Sequence, residues 1–431
     1  MSQLDFTVDV YQNEYLLDGG KDVNAVISVT APQAVSAPAV TPDGAEIIIV
    51  DCSGSMNAPQ TKMAAARTAT TTALNGLRDG ISFAVIAGTD RAQPIYPPDG
   101  SMAVADPRTR VAAKRAAVVC LRPGGGTAIG QWLRLAHHIF ASKPSALRHA
   151  ILLTDGKNEH ETPEQLEEAI KLCEGVFSCD CRGVGTDWNV EELRRISTAL
   201  LGTVDIVPDP AGLSADFAAM MKAAMGKRVA DVALRIWTPR QASIRFLRQV
   251  APAVEDLTDR RAQSGAQVGD YATGAWGSGE TRDYHLCLQV APVSAGHEML
   301  AARVSLALGS TSAQHLLGQG LVKATWTDDE ALATRINPHV AHYTGQTELA
   351  ELIHEGLEAR KDGNEDTAKI KLGRAVALAQ SSRHDDTAKL LARVVDVVDA
   401  ATGTIRLKKK VAQSDEMTLD TRSTRTVRTR K

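Results

Sequence analysis

At 431 residues the chain exceeds one typical domain, and its 44% hydrophobic content is enough to fill two or three cores. Aromatic residues make up only 4%, so those cores must be built from Ala, Val, Leu and Ile. A net charge of -3 excludes a global attraction to nucleic acid or to an acidic membrane surface. Met1-Ser2-Gln3-Leu4-Asp5 has no basic segment leading into an apolar one, and no apolar run approaches the roughly 20 residues that cross a bilayer. The chain therefore reads as soluble and cytoplasmic.

Residues 1–42 carry two alternating segments, Phe6 to Val10 and Val23 to Val29, which read as strands. Alone they cannot form a stable unit, so they are expected to join a β-sandwich elsewhere in the chain, with Val35 to Asp43 as a linker. Residues 43–227 alternate strand and helix. Ile47 to Val50, Ile81 to Ala87, Ala150 to Thr154, Phe177 to Val184 and Val204 to Val207 read as strands. Thr61 to Leu77, Arg108 to Cys120, Ile129 to Ala141, Glu164 to Glu174, Val190 to Leu200 and Leu213 to Met225 read as helices. This alternation predicts an α/β fold, a parallel-rich sheet covered on both faces.

Residues 228–327 return to short strands, Val232 to Trp237, Tyr284 to Val290, Ala301 to Leu308 and Gln319 to Thr325, which predicts the β-sandwich. The α/β domain is then an insertion in it. Residues 328–403 turn helical, with Glu348 to Ala359, Asp366 to Gln380 and Asp385 to Val398 as a hairpin or small bundle. Residues 404–431 are basic and threonine-rich. Nine positive charges against Asp415, Glu416 and Asp420 leave +6, with few large apolar residues, so a disordered tail is expected.

No C-x-x-C pair occurs. Cys52, Cys120 and Cys287 read as buried small hydrophobes, and Cys179 and Cys181 fall on one face of their strand. The chemistry lies instead in oxygen donors. Asp51-Cys52-Ser53-Gly54-Ser55 follows one buried strand and Thr154-Asp155-Gly156 ends another, while Thr127 closes the run Gly124-Gly125-Gly126. In an open α/β sheet ligands collect at the carboxyl ends of strands. Asp51, Ser53, Ser55, Thr127 and Asp155 then converge if the strands are neighbours. Oxygen donors without sulfur or imidazole suit Mg²⁺ or Mn²⁺.

This ordered set resembles the metal-ion-dependent adhesion site, MIDAS, of von Willebrand factor type A domains. The resemblance covers roughly residues 43 to 227 and implies a Rossmann-like fold. It implies that Ser53, Ser55 and Thr127 bind the metal directly, that Asp51 and Asp155 act mainly through water, and that an Asp or Glu of a protein partner completes the shell. His160, beside the expected site, reads as part of an exposed polar loop rather than as an acid–base group. No glycine-rich lysine loop for nucleotide phosphates is present.

The tail offers Thr418, Thr421, Thr424, Thr426 and Thr429 among arginines. A phosphate there would add about -1.5 to -2 charge. The surroundings suit a Ser/Thr kinase, and Thr424 with Val427 resembles peptides read by forkhead-associated domains. The whole arrangement also resembles actinobacterial-type von Willebrand proteins that work with such kinases and readers. The sequence thus predicts a non-enzymatic, metal-dependent interaction scaffold regulated through its tail. An accessory subunit of a separate AAA-plus or chelatase-type ATPase is the alternative, and a metal-dependent hydrolase a third.

Overall fold

The computed structural model describes residues 6–33, 43–308 and 316–428. The linker read at 35–43 therefore lies outside the described residues apart from Asp43. Two compact units are present: residues 38–229, and residues 1–37 together with 230–431.

The second of these begins with β1 (Thr7–Gln12), β2 (Tyr15–Leu17) and β3 (Asp22–Thr30). The chain then enters the α/β unit through β4 (Gly44–Asp51), α1 (Thr61–Gly76), β5 (Ser82–Gly88), β6 (Ala92–Tyr96) and β7 (Ala103–Val104). It continues through α2 (Pro107–Cys120), α3 (Ile129–Phe140), β8 (Leu147–Thr154), α4 (Pro163–Cys173), β9 (Ser178–Val184), α5 (Val190–Ala199), β10 (Val204–Val207) and α6 (Leu213–Met225). The sheet order is β10-β9-β8-β4-β5-β6, with β7 beside β5. The first five strands of that order run parallel, and β6 is antiparallel to β5. All eight residues of β4 are buried, as a strand covered on both faces requires. Side chains of α1, α2 and α6 share one core with β4 and β5. On the opposite face Trp132 of α3 lies against Gly88, where a Cβ would approach the indole to 2.4 Å.

At the amino ends of the central strands lies an ion cluster of one buried and two half-buried groups. His149 on β8 bridges Glu46 on β4, at 2.9 Å through Nδ1, and Asp180 on β9, at 3.1 Å through Nε2. Asp180 also accepts from the Thr203 amide and hydroxyl, each at 2.7 Å. Burial alone would lower the His149 pKa, but the Glu46 charge and the hydrogen bonds to Asp180 and Glu46 prevail and lift it to about 10. Burial works against the charge of Asp180 too, yet His149, Arg182 and Thr203 hold its carboxyl well below the usual range.

The remaining strands are β11 (Lys227–Trp237), β12 (Ala242–Ala251), β13 (Glu255–Asp256), β14 (Ala262–Gly265), β15 (Val268–Gly277), β16 (Thr281–Val290), β17 (Glu298–Leu308) and β18 (Leu316–Thr327). They form two sheets, β1-β3-β16-β12-β13 and β14-β15-β11-β17-β18-β2. Phe6 meets Trp276 of the other sheet edge-on at 5.5 Å, and the Arg282 guanidinium lies 4.3 Å from the Trp276 ring centre. The N-terminal strands belong to this β region through the antiparallel pair β3–β16.

The C-terminal part contains α7 (Glu330–Ala333), α8 (Pro338–Lys361), α9 (Glu365–Ser381), α10 (Asp385–Val394), β19 (Val395–Asp399), β20 (Thr404–Leu407) and α11 (Gln413–Ser423). Two expectations fail here. The helix read over Asp385 to Val398 stops at Val394, and Val395–Asp399 pairs instead with Thr404–Leu407. A run of β-branched residues favours the extended form, and Gly403 at φ 68° supplies the turn. The tail read as disordered over 404–431 is ordered through 428. Leu419 joins Ile353, Leu372, Leu391 and Ile405 in one core. Past α11, Val254 N donates to Thr424 O at 2.7 Å, and Gln346 binds both main-chain groups of Val427. Arg428 donates to buried Asp283 at 3.0 Å and to Ser28 at 2.8 Å. The tail looked too polar to pack because its burial is carried by threonines whose hydroxyls bond their own helix.

Gly373 and Gly403 touch through bare backbone: a Cβ on Gly373 would stand 2.4 Å from the Gly403 carbonyl oxygen. Gly to Ala inside a helix normally stabilises by about 0.5–1 kcal/mol. Gly373→Ala should instead destabilise this unit by about 1–3 kcal/mol through overpacking. A denaturant titration of the full chain reads the sign, and a stabilised variant would show that the contact is not tight.

Candidate metal centre

Strands β4 and β8 are adjacent and parallel, so Asp51 and Asp155 leave the sheet at the same edge. Both are fully buried, and Ser53 and Thr127 nearly so. Ser53 Oγ lies 2.8 Å from Ser55 Oγ, and Ser55 Oγ donates to Asp155 Oδ1 at 2.6 Å. Thr127 joins them over Gly156. A Cβ built there would lie 3.3 Å from Thr127 Oγ1, 3.4 Å from Ser55 Oγ and 3.9 Å from Ser53 Oγ. Three hydroxyl oxygens thus gather around a point left free by a missing side chain, and one of them bonds a carboxylate oxygen of Asp155. All five residues singled out in the sequence meet at this edge.

Both oxygens of Asp51 are engaged by neighbouring groups. Its Oδ1 accepts from the Ser53 amide at 2.7 Å and its Oδ2 from the Thr154 hydroxyl at 2.5 Å. Burial pushes its pKa up to about 6, against the pull of the Ser53 and Thr154 hydrogen bonds. Its position fixes the D-x-S-x-S turn. The turn is also laced to the glycine loop, by Gly54 N to Gly125 O at 3.0 Å and Gly124 N to Cys52 O at 2.8 Å.

Two of the glycines before Thr127 answer to local geometry. Gly125 takes φ 82°, and a Cβ on Gly126 would strike the His160 ring at 2.3 Å. His160 is exposed, but its Nδ1 accepts from the Thr127 amide at 3.1 Å, while its own amide donates to Thr127 O at 3.0 Å. Asn158 and Glu161 accept from the Ile129 and Gly130 amides at 2.7 and 2.5 Å. The start of α3 is therefore capped from the loop that follows Asp155. The sequence does carry the signal: Ala128 cannot cap its helix, so the free amides need acceptors from elsewhere.

Lys62 is a further residue that the sequence reading does not single out. Lys62 Nζ donates to Asp155 Oδ2 at 2.7 Å and lies 3.5 Å from Asp187. A lysine in the first turn of a helix opposes the helix dipole, and that anomaly marks it.

Among the cysteines, Cys52 and Cys287 are buried as expected, whereas Cys120 is exposed at the end of α2, where the helix turns that face to solvent. Burial pushes the Cys52 thiol up to about 12, which leaves it unreactive beside the site.

The tail threonines do not sit as an accessible cluster. Thr418 and Thr421 are buried and donate to the Ser414 and Met417 carbonyls at 2.5 and 2.7 Å. Thr424 and Thr426 are half-buried, and Thr429 lies outside the described residues. A phosphate at Thr421 cannot fit the folded helix. Thr421→Glu is accordingly expected to cost at least about 2 kcal/mol, read as a lowered thermal midpoint. An unchanged midpoint would mean that this face of α11 tolerates charge.

Among the described residues no helix is long and apolar enough to cross a membrane.

Fold and site together define an open, mostly parallel α/β domain with a cluster of oxygen-bearing side chains at its strand ends. Residues 45–206 match the family model for the von Willebrand factor type A domain, and residues 377–423 match that for the von Willebrand factor type A C-terminal domain. The chain is similar to a solved von Willebrand factor type A protein from Catenulispora acidiphila, at 49% identity over 99% of this chain and 98% of that one, with a TM-score of 0.93. The chain belongs to the von Willebrand factor type A family. A paralogue of ArnB, VWA2 from Sulfolobus acidocaldarius, shares the fold at 12% identity and a TM-score of 0.60, over 97% of this chain and 98% of that one. An uncharacterised Synechocystis protein is 28% identical over 174 residues, which is 38% of this chain and 40% of that protein. The C-terminal match begins in the segment read as helical and runs on through residues 404–423, whose order the sequence did not reveal.

Proposed function

We propose that the chain is a metal-dependent protein-interaction module. A divalent cation, Mg²⁺ or Mn²⁺, would be held by Ser53, Ser55 and Thr127, with Asp51 and Asp155 supplying negative charge behind them. When bound, it would offer an open coordination position to an Asp or Glu of a protein partner. The observation that carries this reading is the meeting of three hydroxyls around the point above Gly156, one of them bonded to Asp155 Oδ1. Such donors suit a hard cation that keeps some of its water.

This chain's residues favour binding over catalysis. Both oxygens of Asp51 are committed, and the nearest imidazole, His160, uses Nδ1 to hold the Thr127 loop. Neither is placed to move a proton on a substrate. Membership of a family of interaction modules agrees with that reading. Regulation by a Ser/Thr kinase and a forkhead-associated reader enters the proposal only for a chain whose α11 has opened, because Thr418 and Thr421 are buried.

The test is retention of partner proteins on the immobilised full chain in Mg²⁺ and in chelator, with wild type and Ser55→Ala. Retention in Mg²⁺ by wild type alone is expected. Equal retention in chelator would contradict the reading.

A further inference from the structure

Lys62 is the cation that neither helix propensity nor packing accounts for. It occupies the second position of α1, where the helix dipole disfavours positive charge, yet it is only 5% exposed. Its ammonium reaches Asp155 Oδ2 at 2.7 Å, with exposed Asp187 at 3.5 Å. Its other wall is bare backbone: a Cβ on Gly185 would lie 3.6 Å from Lys62 Cε and 3.9 Å from Nζ, and that glycine sits at φ 68°. One Asp155 oxygen is therefore taken by the lysine and the other turned toward Ser55.

Charge counting gives the consequence. Among the buried groups, Asp51, Asp155 and Lys62 carry a formal -1 between them, and a divalent cation brings the sum to +1, while exposed Asp187, 3.5 Å from the lysine, is screened by solvent. Without the lysine the sums would be -2 and 0. Resting on the metal-site reading above, we propose that Lys62 is a built-in counter-charge that divides the binding energy of the site. It weakens the hold on the cation and leaves the loaded site net positive, so that the site selects an anionic carboxylate over a neutral oxygen donor. In a buried setting a positive charge this close to the carboxylate pair acts on a bound cation with little screening. Lys62 is thus a positioning and tuning residue: it orients Asp155 and sets the charge that a partner meets.

The test uses the full chain and Mn²⁺ as probe, with free Mn²⁺ followed by electron paramagnetic resonance. Lys62→Met removes the charge, Lys62→Gln removes it while keeping a donor for Asp155, and Lys62→Arg keeps it. The two neutral variants should bind Mn²⁺ at least about tenfold more tightly than wild type, a change of roughly 1.4 kcal/mol, while Lys62→Arg stays close to wild type. Relaxation of acetate protons by the Mn²⁺-loaded protein should fall in the neutral variants and persist in Lys62→Arg. Equal Mn²⁺ affinity in wild type and in a folded Lys62→Gln overturns the role of the lysine and leaves the metal site standing. Absence of Mn²⁺ binding in wild type and neutral variants alike overturns the metal-site reading and this inference with it.

Discussion

Asp155→Ala is expected to have two effects at once: loss of divalent-cation binding and a loss of fold stability of about 3–5 kcal/mol. The first follows because Asp155 Oδ1 faces the hydroxyl cluster. The second follows because Lys62, nearly buried, would lose its 2.7 Å partner and keep only exposed Asp187. Removing one member of a buried pair is costly because the other charge stays desolvated. Thr127→Val separates the two effects. It deletes a hydroxyl on nearly the same shape, so cation binding should go while the thermal midpoint moves little. Calorimetric unfolding of both variants, without added metal, decides the point. An Asp155→Ala protein as stable as wild type would show that Lys62 reaches solvent readily.

The second large effect lies at the other end of the same strands. His149→Leu should destabilise the α/β unit by about 3–5 kcal/mol, since Glu46 would remain buried and Asp180 half-buried without their bridge. The pH dependence has a definite sign. His149 has a folded pKa of about 10 against an ordinary 6.5, so it binds its proton more tightly in the folded state. Its contribution is complete below pH 6.5 and is lost as the pH rises through about 10. Asp180 acts oppositely, with a depressed pKa whose contribution is present above the ordinary 3.8 and lost in more acid solution. The gap in thermal midpoint between wild type and His149→Leu should therefore be widest in mildly acidic to neutral solution and shrink toward pH 10. A gap that widens with rising pH would show that the imidazole is buried neutral.

The parts of the fold that could be read from sequence were those whose burial is apolar and continuous. Strands β4, β5 and β8 are runs of Ile, Val, Leu and Ala with both faces covered, and the helices between them carry ordinary start and stop signals. Strands β12 and β15 escaped because Arg245, Arg248, Gly269 and Gly274 interrupt their patterns, although Leu247, Val250, Tyr271 and Trp276 are buried. Helix α11 escaped for a related reason. Thr418 and Thr421 resemble solvent-facing residues until their hydroxyls are seen to bond the preceding turn.

The site divides along the same line. Its five oxygen-bearing residues follow from strand ends and a local motif, which adjacent positions encode. The groups that hold them do not. Lys62 reaches Asp155 across 93 residues, and Asn158 reaches the Ile129 amide across 29. Only the anomalies they resolve, a cation at a helix start and an uncapped α3, are written locally.

The central claim is that Ser53, Ser55 and Thr127 form one cation site on this chain. Calorimetric titration of Mg²⁺ into the full chain and into Thr127→Val tests it most directly. Wild type is expected to take up one ion and Thr127→Val none, at matched thermal stability. Undiminished uptake by Thr127→Val, or none by wild type, would contradict it.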